Sequence, residues 1–125
     1  MPAVKRPMFL TLYQMRFPVT AITSILHRVT GVLLFLMMPL FLVWFYVVLK
    51  QPSYLLTCSL FHGVLFFAWM WLLLSALSYH LIAGVRHLAM DMHLLHHTMR
   101  VGRWSSYIVL VLAIIVSAWI GCRLW

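Results

Sequence analysis

Acidic residues are almost absent from this sequence, and charged residues of any kind are few. Asp91 is the single acidic side chain among 125 residues. Charged side chains make up 8% of the chain and hydrophobic ones 66%, whereas about a quarter of a soluble domain is charged. The chain therefore lacks the polar side chains that cover a water-soluble globule. We expect one domain, residues 1–125, whose apolar surface is covered by lipid or by partner helices.

The scarcity of acids and cysteines excludes or disfavours several functions. Cys58 and Cys122 show neither CxxC nor Cys/His zinc spacing, so we interpret both as ordinary residues of an apolar surface. A small transporter is disfavoured, because it would need a membrane-embedded carboxylate or an inverted repeat. The net charge of +8 does not indicate nucleic acid as a partner, because the Lys and Arg residues lie between apolar runs and form no basic stripe.

Long apolar runs dominate the chain instead. Residues 29–49 carry no charge, and at 1.5 Å per residue a helix of this length covers a hydrocarbon core of about 30 Å. We predict an all-α membrane protein with three transmembrane helices, over about residues 22–50, 56–88 and 103–125. Pro39 is expected to kink the first helix without ending it, and Gly102 is predicted to stop a helix in the loop between the second and third spans.

The basic residues are distributed unequally between the two ends of these spans. Two of the nine, Lys50 and Arg123, fall on one side, and the other seven fall on the opposite side: Lys5, Arg6, Arg16, Arg28, Arg86, Arg100 and Arg103. This asymmetry predicts a cytoplasmic N-terminus and a C-terminus outside. The sequence has no signal-peptide or transit-peptide pattern, so we expect the bacterial inner (cytoplasmic) membrane.

Two groups of polar residues and glycines lie at helical spacing at the cytoplasmic ends of the first two spans. They are Ser24, His27, Arg28 and Gly31 on the first helix, and His80, Gly84, His87 and Asp91 on the second. Because the first helix leaves the cytoplasm and the second returns to it, Arg28 and His80 are expected at about the same depth. An inward-facing His80 imidazole can ligate haem iron, and His27 and Arg28 can meet haem propionates.

Simpler interpretations of the same residues stay open at this point. His80 can be an interfacial histidine that only bonds a neighbouring helix, and Arg28 can be a charge that only anchors the topology. Ser24 alone is uninformative, because small hydroxyls are common at helix starts and helix contacts. His87 and Asp91 are more typical of a local polar pair at the membrane surface than of a catalytic pair.

The remaining histidines give weaker signals. His62 precedes His80 by five helical turns, about 27 Å, so it could serve only a second haem in the outer leaflet. His93, His96 and His97 are close enough for a metal cluster, but no carboxylate or cysteine pattern accompanies them. We interpret them as part of a solvated loop, and the roles of all four histidines stay open.

The sequence around these two polar groups resembles motifs of the cytochrome b subunit of succinate dehydrogenase. That subunit is one of the two small membrane anchors of respiratory complex II. Ser24-Ile25-Leu26-His27-Arg28-Val29-Thr30 is similar to the family's Ser-x-x-His-Arg-x-Ser/Thr signature. The second signature runs from His80 through Gly84-Val85-Arg86-His87 to Asp91. With Arg6-Pro7, Arg16-Phe17-Pro18 and the three-span plan, the resemblance covers essentially the whole chain.

The resemblance implies a role for each residue of the first signature and for His80. His80 would be an axial ligand of haem b, and a second anchor subunit would donate the other axial histidine. His27 and Arg28 would contact the haem propionates. Ser24 and Arg28 would line the ubiquinone pocket, where the serine hydroxyl meets a quinone oxygen and the arginine charge stabilises developing negative charge.

The implied partners are a second small membrane anchor, an iron-sulfur subunit and a flavoprotein subunit. Electrons from succinate would pass through the two peripheral subunits to ubiquinone at the cytoplasmic edge of the bundle, and this chain would have no activity alone. Two alternatives remain. One is a fumarate reductase anchor, and the other is a structural membrane anchor or assembly protein without haem, in which His80 only packs.

Overall fold

The described part of the chain forms three long helices. The structure, a computed structural model, describes residues 17–50, 63–94 and 98–125. Helix α1 comprises Val19–Lys50, α2 Val64–Asp91 and α3 Met99–Leu124. All three are long and apolar enough to cross a membrane. The predicted all-α architecture with three membrane-spanning helices is therefore confirmed.

The helix bounds differ from the predicted spans by a few residues. Helix α1 begins at Val19 and continues without a break through Pro39, so the proline does not end the helix. Helix α2 continues to Asp91, past the predicted end at about residue 88. The predicted start of the second span falls partly on residues 56–62, which lie outside the described residues.

The prediction that Gly102 stops a helix is wrong. Helix α3 already begins at Met99, and its N-cap residue Thr98 accepts a hydrogen bond on Oγ1 from the Val101 N–H at 3.3 Å. Gly102 is buried in the first turn, and a Cβ there would lie 3.4 Å from Cγ2 of Thr20 on α1. The missing side chain thus allows α1 and α3 to approach each other, as small residues do between membrane helices.

The core lies between α2 and α3, which share the most extensive of the three helix interfaces. Tyr79 and Ala83 of α2 pack there against Val109 and Ala113 of α3. Helix α3 buries a stripe of small and β-branched residues at three- and four-residue spacing: Gly102, Ser106, Val109 and Ala113. Lipid tails give little hydrophobic drive for helix association, so close packing along such a stripe holds the helices together.

Hydrogen bonds between the helices add to this packing. The Tyr79 hydroxyl donates to the carbonyl of Thr23 on α1 at 3.0 Å, and the Thr23 hydroxyl donates to Ser106 Oγ on α3 at 3.3 Å. Farther along, the hydroxyls of Ser75 and Ser117 are 2.9 Å apart. Thr23 and Ser106 are almost completely buried. The bonds of Tyr79 and Thr23 tie all three helices together at the end of the bundle where α1 and α3 begin, and the Ser75–Ser117 contact joins α2 to α3 farther along.

Helix α1 contributes little to the core. It is described over its whole length and buries only Thr23, while Phe35, Leu36 and Val43 are more than 60% exposed. An apolar surface of this extent is compatible with lipid or with the helices of another subunit, as the composition predicts.

Candidate functional site

Two histidine rings, His27 of α1 and His80 of α2, stack where these helices meet. Their centroids are 4.1 Å apart and their planes differ by 18°. Each ring lies over a glycine of the opposite helix. A Cβ on Gly31 would lie 3.1 Å from Cε1 of His80, and a Cβ on Gly84 would lie 3.5 Å from Nε2 of His27. The two glycines therefore make the space in which both rings lie at one level.

The surroundings of His80 determine which of its ring nitrogens carries the proton. Nδ1 lies 3.1 Å from the carbonyl oxygen of His27 and 3.3 Å from Oγ1 of Thr30. The carbonyl can only accept, and the Thr30 hydroxyl directs its proton to the carbonyl of Leu26 or His27, each 2.9 Å away. Nδ1–H is therefore the donor, and Nε2 carries the free lone pair. Histidines that bind metals typically have their other nitrogen held in this way.

The two Nε2 atoms differ in their environment. Nε2 of His80 has no hydrogen-bond partner among residues 17–50, 63–94 and 98–125, and it is not enclosed by them. Nε2 of His27 is enclosed, and it too lacks a partner within the described part of the chain. The free and accessible lone pair on His80 fits a site that is completed by a group from outside this chain, whereas the enclosed Nε2 of His27 is not open to such a group in this arrangement.

His87 extends the same face of α2. Its ring centroid is 5.2 Å from that of His27. His80, Gly84 and His87 thus all lie against α1, as their spacing predicts. Asp91, the fourth member, is the last residue of α2 and is exposed. His27 fills the space over Gly84, so α1 approaches α2 closely at this glycine.

Ser24 and Arg28 lie beside this interface and remain available for other contacts. Ser24 is half-buried and Arg28 is exposed. Neither side chain has a hydrogen-bond partner in the described segments, whereas the hydroxyl of Thr30 bonds to its own helix. The carbonyl of His27, the residue before Arg28, bonds to His80. Arg28 and His80 therefore lie at about the same level along the bundle, as expected, although their side chains are not in contact.

Sequence reasoning missed two residues near the site, Thr30 and Arg86. Thr30 lies in the first motif without a predicted role, yet it contacts His80. Arg86 lies in the second motif and is predicted only to contribute to the charge asymmetry, yet it is 7% exposed. Its spacing from Tyr79 and Ala83 places it on the buried face of α2. Helical periodicity therefore could have identified Arg86, whereas the contact made by Thr30 required the rotation of α1 to be known.

Four other histidines and cysteines of the sequence lie outside the described residues: His62, His96, His97 and Cys58. His93 is exposed just after α2 in a left-handed conformation (φ 57°), with Nδ1 3.0 Å from the carbonyl of Asp91. Cys122 is exposed with a free thiol.

Comparisons with known proteins cover nearly the whole chain. Residues 2–120 match the family described as succinate dehydrogenase/fumarate reductase transmembrane subunit. The chain is also 39% identical over 126 residues to the succinate dehydrogenase cytochrome b556 subunit of Coxiella burnetii (strain RSA 493 / Nine Mile phase I). That alignment covers 97% of this chain and 98% of the relative. The range matched by the family includes both polar motifs.

Proposed function

Because this chain belongs to the succinate dehydrogenase/fumarate reductase transmembrane subunit family, as its two motifs predict, we propose that it is the haem b-binding anchor subunit of a succinate:ubiquinone oxidoreductase. Membership makes it a membrane subunit of an enzyme complex. The observation that carries the proposal is the arrangement of His80, whose Nδ1 is held by two acceptors while Nε2 keeps its lone pair free.

His80 would hold the haem iron through Nε2, and a second small anchor subunit would supply another histidine ligand. Bound there, haem b supplies one-electron redox chemistry. The His27 carbonyl and the Thr30 hydroxyl orient the His80 ring and raise its basicity through the bond to Nδ1. His27 and Arg28 would hold the propionates, and of the two Arg28 has the exposed side chain, a guanidinium available to a group from outside the chain.

Ser24 and Arg28 would also bind ubiquinone. Ser24 offers a hydroxyl that is not engaged by the described residues, and Arg28 offers donors and a fixed positive charge. Both groups would bind more strongly as negative charge develops on the quinone oxygens, and so they would favour reduction over simple binding. The other walls of the pocket would come from partner subunits.

The complex would lie in a bacterial inner membrane, with the N-terminus of this chain in the cytoplasm and its C-terminus outside. The unequal distribution of Lys and Arg supports this orientation. The end of the bundle that carries His80 and Arg28 would then face the cytoplasm. A flavoprotein and an iron-sulfur subunit docked on that side would deliver electrons from succinate directly to the quinone.

Purification of the full chain from membranes in a mild detergent tests this proposal. Mass spectrometry should find a flavoprotein, an iron-sulfur protein and a second small apolar subunit in the same complex. The reduced-minus-oxidised spectrum should show b-type bands. A complex with those subunits but without the bands would contradict the haem assignment and support a purely structural anchor.

A fumarate reductase anchor is the second candidate, because the description of the matched family covers both enzymes. The two differ in the direction of turnover and in the quinone used. Assays of the purified complex with ubiquinone and with menaquinone, in both directions, separate them. Faster succinate oxidation with ubiquinone supports our proposal, and faster fumarate reduction with menaquinol contradicts it.

A further inference from the structure

A cleft of about 700 Å³ opens at the end of the bundle where α1 and α3 begin and α2 ends. Polar side chains line it from all three helices: Thr20 of α1, then Arg86, His87 and Asp91 of α2, then Thr98 just before α3 and Arg103 on α3. Neither His80 nor Arg28 contributes to the lining. His87, whose ring centroid is 5.2 Å from that of His27, does line it, so the cleft adjoins the proposed haem site without including the proposed iron ligand His80 or the quinone-binding Arg28.

Arg86 reaches this cleft from inside the bundle. It is 7% exposed, its Nε donates to Ser105 Oγ at 2.9 Å and its Nη2 donates to the Gly102 carbonyl at 3.3 Å. Both acceptors are neutral. A guanidinium has five N–H donors, so three have no acceptor within the described parts of the chain.

The positive charge of Arg86 also has no counter-charge among the described residues. Asp91, the one acidic side chain of the sequence, lines the same cleft but forms no ion pair with Arg86 in these segments. A buried charge that is neither paired nor fully hydrogen-bonded is strongly unfavourable. An anion in the cleft would remove this cost by accepting the unused N–H groups.

The location of the cleft indicates the kind of anion. It lies at the ends of three apolar helices, where lipid headgroups meet the hydrocarbon. Arg103, exposed on α3, places a second guanidinium at its edge, and Pro18, Met90 and Met99 add apolar surface. Basic pockets between membrane helices at this level are typical sites for anionic lipid headgroups.

We propose that this cleft binds the phosphate group of an anionic membrane phospholipid. The guanidinium of Arg86 contacts the phosphate from the buried side, and Arg103 contacts it from the edge. The bidentate donors of arginine match phosphate oxygens in geometry and charge. Lipid binding at this site requires neither haem nor quinone. This proposal and the proposed function can therefore be tested separately.

The test uses the full chain, extracted with the subunits it retains and stripped of lipid in detergent. Phosphatidylglycerol is titrated back and counted by native mass spectrometry. Arg103→Gln should bind it about tenfold more weakly than the wild type, because a charge-assisted hydrogen bond is lost. Arg100→Gln is the matched control. Arg100 is also exposed in the first turn of α3, but it is not part of the cleft lining, so binding should be unchanged.

Arg86→Lys tests the buried contact, because lysine keeps the charge but loses the planar fork. It should weaken phosphatidylglycerol binding while leaving the protein with its positive charge. Should this variant fail to assemble, the comparison of Arg103→Gln with Arg100→Gln decides the question alone. Equal binding by those two variants would overturn the proposal.

Two further measurements identify the source of the phosphate. Inorganic phosphate at millimolar concentration should not displace the lipid, and phosphatidylcholine should bind more weakly because its headgroup carries a compensating cation. Full displacement by inorganic phosphate would assign the site to the free anion and overturn the lipid assignment. A density map with a partner subunit's carboxylate against Arg86 would overturn it as well.

Discussion

The carbonyl oxygen of His27 lies 3.1 Å from Nδ1 of His80, across the interface between α1 and α2. This contact joins the backbone of the first motif to a side chain of the second, 53 residues later in the chain. Because the acceptor is a backbone carbonyl, the bond does not depend on which side chain occupies position 27. The first motif therefore orients the His80 imidazole through its backbone and through Thr30.

Replacing Thr30 tests this orientation of His80. Thr30→Val keeps the shape of the side chain but removes the hydroxyl oxygen 3.3 Å from Nδ1 of His80. A less basic imidazole stabilises the oxidised iron less, so the haem midpoint potential should rise. Loss of a weak bond of about 0.5 kcal/mol corresponds to about 20 mV for one electron.

Redox titration of the reduced b-type bands in the purified complex measures this shift. Thr30→Ser keeps the hydroxyl and should titrate like the wild type. A Thr30→Val complex with an unchanged potential would show that the hydroxyl does not influence His80.

Gly31→Ala should weaken haem binding. The new methyl carbon would lie 3.1 Å from Cε1 of His80, so the ring would have to shift by a few tenths of an ångström. Alanine is a better helix former than glycine by about 1 kcal/mol, so a loss of haem could not arise from a weaker helix. Haem content per complex is the measurement.

Gly63→Ala is the matched control, because a Cβ at Gly63 would have no neighbour within 4 Å among the residues that the structure describes. It should retain full haem content. Equal haem in both variants would mean that the packing of His80 over Gly31 does not matter for the cofactor.

Ser24→Ala should lower the rate of ubiquinone reduction by about tenfold, the effect of losing one hydrogen bond that strengthens during the reaction. Succinate oxidation with an artificial acceptor should stay normal, because this chain does no succinate chemistry. Ser78→Ala is a suitable control, since the Ser78 hydroxyl donates to the Leu74 carbonyl at 2.7 Å within α2. Unchanged quinone kinetics in Ser24→Ala would exclude a quinone contact for this serine.

Tyr79→Phe should destabilise the bundle by about 1 kcal/mol, because it removes a buried hydrogen bond between membrane helices. The bond lost is the one from the Tyr79 hydroxyl to the Thr23 carbonyl, 3.0 Å long. Thermal or denaturant unfolding in detergent measures the change. Tyr107→Phe alters an exposed tyrosine and should have no effect, and an equal loss in both variants would contradict the role of this bond.

The sequence alone predicts the three helices and the level of the site. Long apolar runs can cross a membrane only as helices, and consecutive helices must reverse direction, so Arg28 and His80 are expected at one level. The structure agrees on both points. Periodicity on the two helices also predicts that His80, Gly84 and His87 share a face, and all three lie against α1.

The remaining contacts depend on how each helix is rotated about its own axis, which the sequence pattern leaves open. Gly102 is predicted to stop a helix because glycine often does so, but here its missing side chain leaves room for Thr20 of the neighbouring helix. Arg86 is counted from its residue type only as one of the charges that set the orientation, but it turns inward to Ser105 and Gly102. Both residues were judged by residue type, whereas their roles follow from packing.

The absorption spectrum of His80→Leu in the purified complex tests the central claim most directly. His87→Asn serves as the control, because His87 lies on the same face of α2 without contacting the ring of His80. We predict that the reduced b-type bands disappear or weaken strongly in His80→Leu and persist in His87→Asn. Full-intensity b-type bands in an assembled His80→Leu complex would contradict the account.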